Sequence, residues 1–286
     1  MPELPEVESL VRFLAGRVGG ETVERVYPVA FHALKTYEPA VGELEGRRLG
    51  GVGRYGKFLG VEAEGLWLVM HLARAGWVRW HDELPAAPPK GGKGPLALRV
   101  RLAGGAGFDV TEAGTQKHLA VHVVRDPQEV PGIARLGPDP LGEDFTQEVF
   151  AGLLDGERRQ IKGVLRDQSV IAGIGNAYSD EILHAAKMSP FKLAATITPD
   201  EVARLYEVTG TTLADAVERS RGLPLRDLKA EKKSGLRVHG RKGEPCPVCG
   251  DTIREVSYRD SSLQYCPTCQ TGGKPLADRR MSRLLK

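Results

Sequence analysis

The first residues, Met1-Pro2-Glu3-Leu4-Pro5-Glu6, combine a helix start with the parts of a nucleophilic site. A small residue after an initiator Met permits removal of that Met, which would leave Pro2 with a free α-amino group, here a secondary amine. Such a group titrates near pH ~7.7–8.0, about two units below a lysine, so much of it is a neutral nucleophile at neutral pH. A secondary amine attacking a sugar carbon forms an iminium, covalent catalysis of the lysine Schiff-base type. Glu3 and Glu6 stand beside it as candidate acid/base groups. Taken alone, the same residues read as an ordinary Pro-led helix start with Glu near the positive end of the dipole. Leu4, Val7, Leu10, Val11 and Leu14 carry helical spacing, predicting an amphipathic helix over residues 3–17 that ends at Gly19-Gly20.

Outward from that helix, 286 residues with 41% hydrophobic content can bury a substantial core in one large or two ordinary domains. No apolar run reaches the ~18 residues of a membrane span, and no secretory signal pattern appears, so the expectation is cytosolic. Net charge is only +3, but residues 226–286 hold 14 Lys/Arg against 7 Asp/Glu. A basic C-terminal segment suggests a polyanionic partner.

From about residue 22 to 125 the pattern is one of strands: 66–72 as a buried run, 77–80, 98–102 and 119–123, separated by Gly-rich turns. Residues 85–95 (PAAPPKGGKGP) read as a loop. Short connections between many strands imply a β-sandwich or barrel. Residues 126–143 are rich in Pro and Gly and read as a linker. Helical periods follow over 146–154, 158–165 and 176–186, and Thr198-Pro199-Asp200-Glu201 is a capping box opening a long helix to about Arg219. Residues 226–244 are basic and weakly periodic, predicting a loop. The domain expectation is therefore 1–130, a linker at 131–145, a helical domain at 146–225, and a basic loop, finger and tail at 226–286.

All four cysteines lie in Cys246-Pro-Val-Cys249 and Cys266-Pro-Thr-Cys269, sixteen residues apart. This C-x2-C-x16-C-x2-C spacing is that of a zinc ribbon, and four thiolates make a closed, structural site. The hairpin between the knuckles would present Arg254, Tyr258 and Arg259 outward, suited to phosphates. Ile171-Ala172-Gly173-Ile174-Gly175-Asn176 places glycines before a helix start, where backbone N–H groups can meet an anion; an ordinary tight turn has the same pattern. Gly53-Arg54-Tyr55-Gly56-Lys57-Phe58 puts Lys57 at a turn, suited to a phosphate or simply solvated.

Together PELPEVE, GRYGKFL, LGPDPL, GIGNAYSDEIL, GRKGEPC and the two Cys knuckles, in that order, resemble the formamidopyrimidine-DNA glycosylase / endonuclease VIII family. The resemblance implies an α+β fold: an N-terminal helix plus β-sandwich domain, then a helix–two-turn–helix domain with a zinc-ribbon finger. It implies Pro2 as nucleophile on the anomeric carbon, Glu3 as general acid/base and Glu6 as electrostatic support. Lys57 and Asn176 would hold phosphates flanking the lesion. One structural Zn2+ would sit on Cys246, Cys249, Cys266 and Cys269. The implied function is excision of a damaged base followed by β,δ-elimination, on double-stranded DNA carrying a damaged base or abasic site. The implied setting is a monomer in the cytoplasm, at the bacterial nucleoid.

The resemblance is incomplete in places. Ser261 stands where the family's finger carries an Arg five residues before the third Cys, with Arg254 or Arg259 nearby. Phe108-Asp109 is followed by Val110-Thr111-Glu112-Ala113-Gly114-Thr115, without the Arg-Phe pair that fills the space left by a flipped base. Arg74 falls near the family's wedge Met. The segment 229–235 is shorter than the loop that caps 8-oxoguanine. These differences point to oxidised pyrimidines, ring-opened purines or abasic sites rather than 8-oxoguanine. They also leave open a non-catalytic or lyase-only homologue that binds damaged DNA, and a zinc-ribbon module on an unrelated enzyme.

Overall fold

The structure is a computed structural model that describes residues 1–89, 91, 94–258 and 261–277. Arg259 and the basic tail residues Arg279, Arg280 and Arg283 lie outside the described residues. The chain divides into two compact units, Met1–Leu136 with Ser220–Leu228, and Gly137–Arg219 with Lys229–Lys286.

In the first unit, helix α1 (Leu4–Val18) precedes strands β1 (Val23–Pro28), β2 (Leu49–Tyr55), β3 (Phe58–Ala63), β4 (Leu66–His71), β5 (Gly76–His81), β6 (Leu96–Leu102), β7 (Gly107–Glu112) and β8 (Ala120–Val124). They form two four-stranded antiparallel sheets, in the orders β1-β6-β7-β5 and β2-β3-β4-β8. The apolar stripe read from the sequence faces inward: Leu4, Val7, Leu10, Leu14 and Val18 of α1 are fully buried. Val7, Leu10, Leu14 and Val18 share one core with Val26, Val78, Val100 and Phe108 from one sheet and Leu59, Val61, Leu68 and Val121 from the other. Each such buried side chain contributes about 1.5–3 kcal/mol, which fixes α1 on the sandwich although its exposed face is charged. Leu225 and Leu228 join the same core, and the Trp77 indole N–H donates to the Leu225 carbonyl at 3.2 Å.

The second unit holds helices α2 (Gln147–Leu154), α3 (Ile161–Arg166), α4 (Asn176–Ala185), α5 (Pro199–Arg219) and α6 (Leu228–Gly235), whose first residue belongs to the first unit. Strands β9 (Arg254–Ser257) and β10 (Ser262–Tyr265) form a hairpin, and α7 (Pro267–Thr271) follows. The capping box at α5 is present: Glu201 accepts the Thr198 N–H at 2.9 Å, and Thr198 accepts the Glu201 N–H at 3.4 Å. α6 corrects the expectation of a loop over 226–244. Its sequence, LKAEKKSG, has almost no apolar stripe, so periodicity did not expose it. Side-chain contacts hold it instead: Arg219 to Glu231 at 2.8 Å, and the Lys232 ammonium 4.8 Å over the Tyr178 ring.

No helix among the described residues is long and apolar enough to cross a membrane.

Candidate functional site

The N-terminal candidates lie at the start of α1. Glu3 is the residue before the first helical turn, and Glu6 reaches back so that its Oε2 accepts the Glu3 N–H at 2.8 Å. This is one arm of a capping box, with a carboxylate at the positive end of the helix dipole. Glu3 and Glu6 are 3% and 4% exposed, which is rare for carboxylates and marks them as more than helix-start residues. With Met1 attached, Pro2 is buried while Met1 is exposed. One turn on, Glu8 accepts from Arg54 of β2 and from Arg12, each at 2.8 Å. Burial would raise the Glu8 carboxyl, but the two guanidiniums hold it below the usual carboxylate range. The Arg54–Glu8 ion pair fixes the second turn of the helix to β2.

Lys57 sits at the hairpin between β2 and β3, where Tyr55 and Phe58 pair across two residues. Gly56 has φ +56°, the conformation at the first central position of a II′ turn that glycine takes without strain. Lys57 is only 7% exposed, unlike a solvated turn lysine. Beside this turn, the Phe58 ring lies 4.7 Å from the His71 ring, tilted by 45°. Burial, then the charges of Lys57 and His122, push the His71 imidazole down to about 4, so it is neutral at pH 7.

Arg74 is exposed at the turn between β4 and β5, just after Ala73 at φ +49°. The Ala113 N–H donates to the Ala75 carbonyl at 3.2 Å, so this turn lies against the loop that follows β7. Buried Glu112 anchors that loop by accepting the His118 and Leu119 N–H groups at 2.7 and 2.9 Å.

In the second unit, Gly175 precedes α4, and Gln168 shapes the loop before it. The Gln168 amide accepts the Gly173 N–H at 2.9 Å and donates to the Ile174 carbonyl at 2.7 Å. Gly173 has φ +88°, which favours glycine there. The Asn176 Nδ2 donates to the Ser262 carbonyl at 2.7 Å. Because Nδ2 carries two hydrogens, that bond uses one of them. Beneath it lies a buried cation that the sequence reading missed. The Lys162 ammonium, 5% exposed, donates to Asp180 at 2.6 Å, Ser179 at 2.7 Å and the Asn176 carbonyl at 3.1 Å. Asp180 also accepts from the His239 ring at 2.7 Å and the Gln264 N–H at 3.1 Å. Glu181 accepts three successive N–H groups, of Arg237, Val238 and His239, at 2.7 to 2.9 Å. Burial raises the Glu181 carboxyl even though those three donors lower it. The only sequence signal for these groups was an acidic pair, Asp180-Glu181, next to the apolar residues Ile182 and Leu183 in one helix.

The four cysteine Sγ atoms lie within 4.8 Å of one another. Four sulfurs around a tetrahedral zinc at about 2.3 Å would be ~3.8 Å apart, so the cluster fits that ion. The first knuckle is a tight turn, in which the Gly250 N–H returns to the Cys246 carbonyl at 2.9 Å with Gly250 at φ +77°, and the second opens α7, with Cys266 just before its first turn. Asp251 ties the two knuckles by accepting the Thr268 hydroxyl at 2.8 Å. Burial pushes the Cys266 thiol up to about 11, and a bound cation favours its thiolate form. On the adjoining hairpin Arg254 is exposed, as is Tyr258 at 39%.

Comparison with known proteins agrees along the chain. Models of the formamidopyrimidine-DNA glycosylase N-terminal domain, the formamidopyrimidine-DNA glycosylase H2TH domain and the zinc finger found in FPG and IleRS match residues 1–123, 136–224 and 243–272. A Mycobacterium tuberculosis protein described as an uncharacterized formamidopyrimidine-DNA glycosylase-like protein is 62% identical over 53% of this chain and 94% of its own length. The formamidopyrimidine-DNA glycosylase of Symbiobacterium thermophilum is 36% identical over 94% of this chain and 89% of its own. A crystal structure of the Lactococcus lactis enzyme, bound non-covalently to DNA containing an AP site, superposes with a TM-score of 0.82 at 27% identity, covering 94% of this chain and 99% of that one. These matches leave no room for a zinc ribbon on an unrelated enzyme, and the four thiolates are the ligands of one structural zinc ion. The chain belongs to the formamidopyrimidine-DNA glycosylase family, a family of DNA-repair enzymes that carry out base excision.

Proposed function

We propose that this chain is a bifunctional glycosylase and AP lyase that works through Pro2. Removal of Met1 gives the Pro2 nitrogen a lone pair. That nitrogen attacks C1′ of the damaged nucleotide, the N–C1′ bond forms, and the bond from C1′ to the base breaks. The departing base takes a proton, which the Glu3 carboxyl supplies as general acid. The Pro2 nitrogen then gives up its proton and the C1′–O4′ bond breaks, with O4′ taking a proton, which opens the sugar ring and leaves an iminium between Pro2 and C1′. The iminium draws electrons from C2′, so a base removes the C2′ proton and the 3′ phosphate leaves. Loss of a further sugar proton expels the 5′ phosphate, and water then releases the sugar fragment and regenerates the amine. Glu6 fixes the Glu3 backbone, and with it the peptide that joins Pro2 to the helix. Lys57 and Asn176 hold phosphates next to the reacting sugar, and Arg74, Arg254 and Arg259 add positive charge along the DNA.

The observation that carries this reading is the pair of buried carboxylates, Glu3 and Glu6, one and four residues after Pro2. A helix start needs no buried charge, whereas a reacting sugar needs an acid in a low-dielectric site. The substrate must be extruded from the duplex for any protein nitrogen to reach C1′. Val110–Thr115 lacks an Arg-Phe pair, and this favours oxidised pyrimidines, ring-opened purines and abasic sites over 8-oxoguanine.

A panel of duplexes carrying one oxidised purine, one oxidised pyrimidine or one abasic site tests the proposal. The expected products are strand breaks with phosphate at both ends, from the pyrimidine and abasic duplexes. Salt-dependent binding with no cleavage of any of them would instead establish a homologue that recognises damage without excising it.

A further inference from the structure

Asn176, Asp180 and His184 are four residues apart on α4 and so share one face of the helix. Each bonds to the zinc ribbon. The Asn176 amide donates to the Ser262 carbonyl at 2.7 Å, Asp180 accepts the Gln264 N–H at 3.1 Å, and the His184 Nε2 lies 3.3 Å from the Cys246 Sγ. Ser262 and Gln264 alternate along β10, which runs directly into the metal ligand Cys266. The metal site therefore touches one end of α4 through His184, and the candidate phosphate-binding residue Asn176 occupies the other end.

We propose that His184 is a positioning residue that registers the zinc ribbon on α4 and so holds the Asn176 side chain. A zinc-bound thiolate only accepts hydrogen bonds, so the imidazole faces Cys246 with its Nε2–H. Four thiolates on one Zn2+ leave a net double negative charge, and an N–H donor from a side chain that is 2% exposed stabilises it without adding a cation. The ribbon's apolar clusters are small: Val238, Cys246, Ile253 and Cys266 with Cys269 against them, and Val256, Leu263 and Tyr265 with Phe191 against them. Gln270 adds a bond to the Met188 carbonyl at 2.9 Å just beyond α4. Along α4 itself the register of the ribbon is set by the three polar bonds, and losing the metal would loosen Ser262 from Asn176. This inference needs the zinc and the helix only, and does not depend on the chemistry at Pro2.

The test uses the full-length, zinc-loaded protein, with chelator-driven zinc release and the 15N side-chain amide signal of Asn176 as readouts. His184→Phe keeps the bulk and removes the donor. It is expected to release zinc faster, in line with the ~10–100-fold loss of metal affinity that follows removal of an outer-sphere partner, and to shift the Asn176 amide signal. In His184→Gln the amide nitrogen can stand in for Nε2, and both readouts should return toward wild type. Stripping zinc from the wild-type protein should move the Asn176 signal in the same direction, which keeps the test decisive if His184→Phe does not fold. Wild-type release kinetics in His184→Phe, or an Asn176 amide that does not respond to zinc removal, would overturn the proposal.

Discussion

Glu6 accepts the backbone N–H of Glu3 at 2.8 Å, and both side chains are buried. The amide that Glu6 fixes belongs to the Pro2–Glu3 peptide, so a carboxylate one helical turn away sets the orientation of the chain's first residues. Glu6→Gln keeps an acceptor oxygen and should lose little stability. Glu6→Ala leaves that N–H without its charged acceptor and should cost about 1–3 kcal/mol, with a matching fall in the rate on abasic DNA. Equal thermal midpoints for Glu6→Ala and wild type would show that the bond has no such role.

Glu3 separates the two halves of the proposed reaction. Base departure needs a proton, whereas a pre-formed abasic site has no base to release. Glu3→Gln should therefore lose ~10²–10⁴-fold in base excision while still forming the covalent adduct on abasic DNA. Gel assays on a damaged-base duplex and an abasic duplex, run side by side, check this. Parallel losses on both substrates would remove Glu3 from the role of acid.

Lys57 is buried at a two-residue turn, and its proposed partner is a phosphate. Lys57→Ala should weaken binding to damaged and undamaged duplexes alike and reduce the slope of log K against log salt by about one. Fluorescence anisotropy across a salt series gives the slope. An unchanged slope would mean that Lys57 touches no phosphate.

His71 gives the fold a pH dependence of predictable sign. In the unfolded chain its imidazole takes a proton near the ordinary histidine value of 6.5, while in the folded protein burial, Lys57 and His122 delay protonation to about 4. Between those values the unfolded state binds more protons, so this group's contribution to stability is complete above 6.5 and is lost as pH falls toward 4. Denaturant titrations should show the stability difference between His71→Phe and wild type changing across that window and constant above pH ~7. A difference that stays flat through the window would place His71 in contact with solvent.

The parts of this molecule that could be read from sequence are those with a period or a spacing. The stripe of Leu4, Val7, Leu10 and Leu14 gave α1, alternation gave the strands, and the two-residue Cys spacing gave the metal site. What could not be read depends on partners far along the chain. α6 is a helix held by Arg219–Glu231 and Lys232–Tyr178 rather than by an apolar face. Lys162 and Asp180 are separated by eighteen residues and meet only because α3 and α4 pack together. Asn176, Asp180 and His184 have an obvious helical spacing, but it acquires meaning only once β10 and Cys246 lie opposite. The burial of Glu3, Glu6 and Lys57 was equally invisible, since each also suits a solvent-exposed helix start or turn.

Borohydride reduction during turnover on abasic-site DNA, followed by peptide mapping of the product, tests the central claim most directly. The predicted result is a stable protein–DNA adduct whose single cross-link maps to the nitrogen of Pro2, in chains that have lost Met1. An adduct on a lysine, or no adduct from protein that still cleaves the strand, would contradict it.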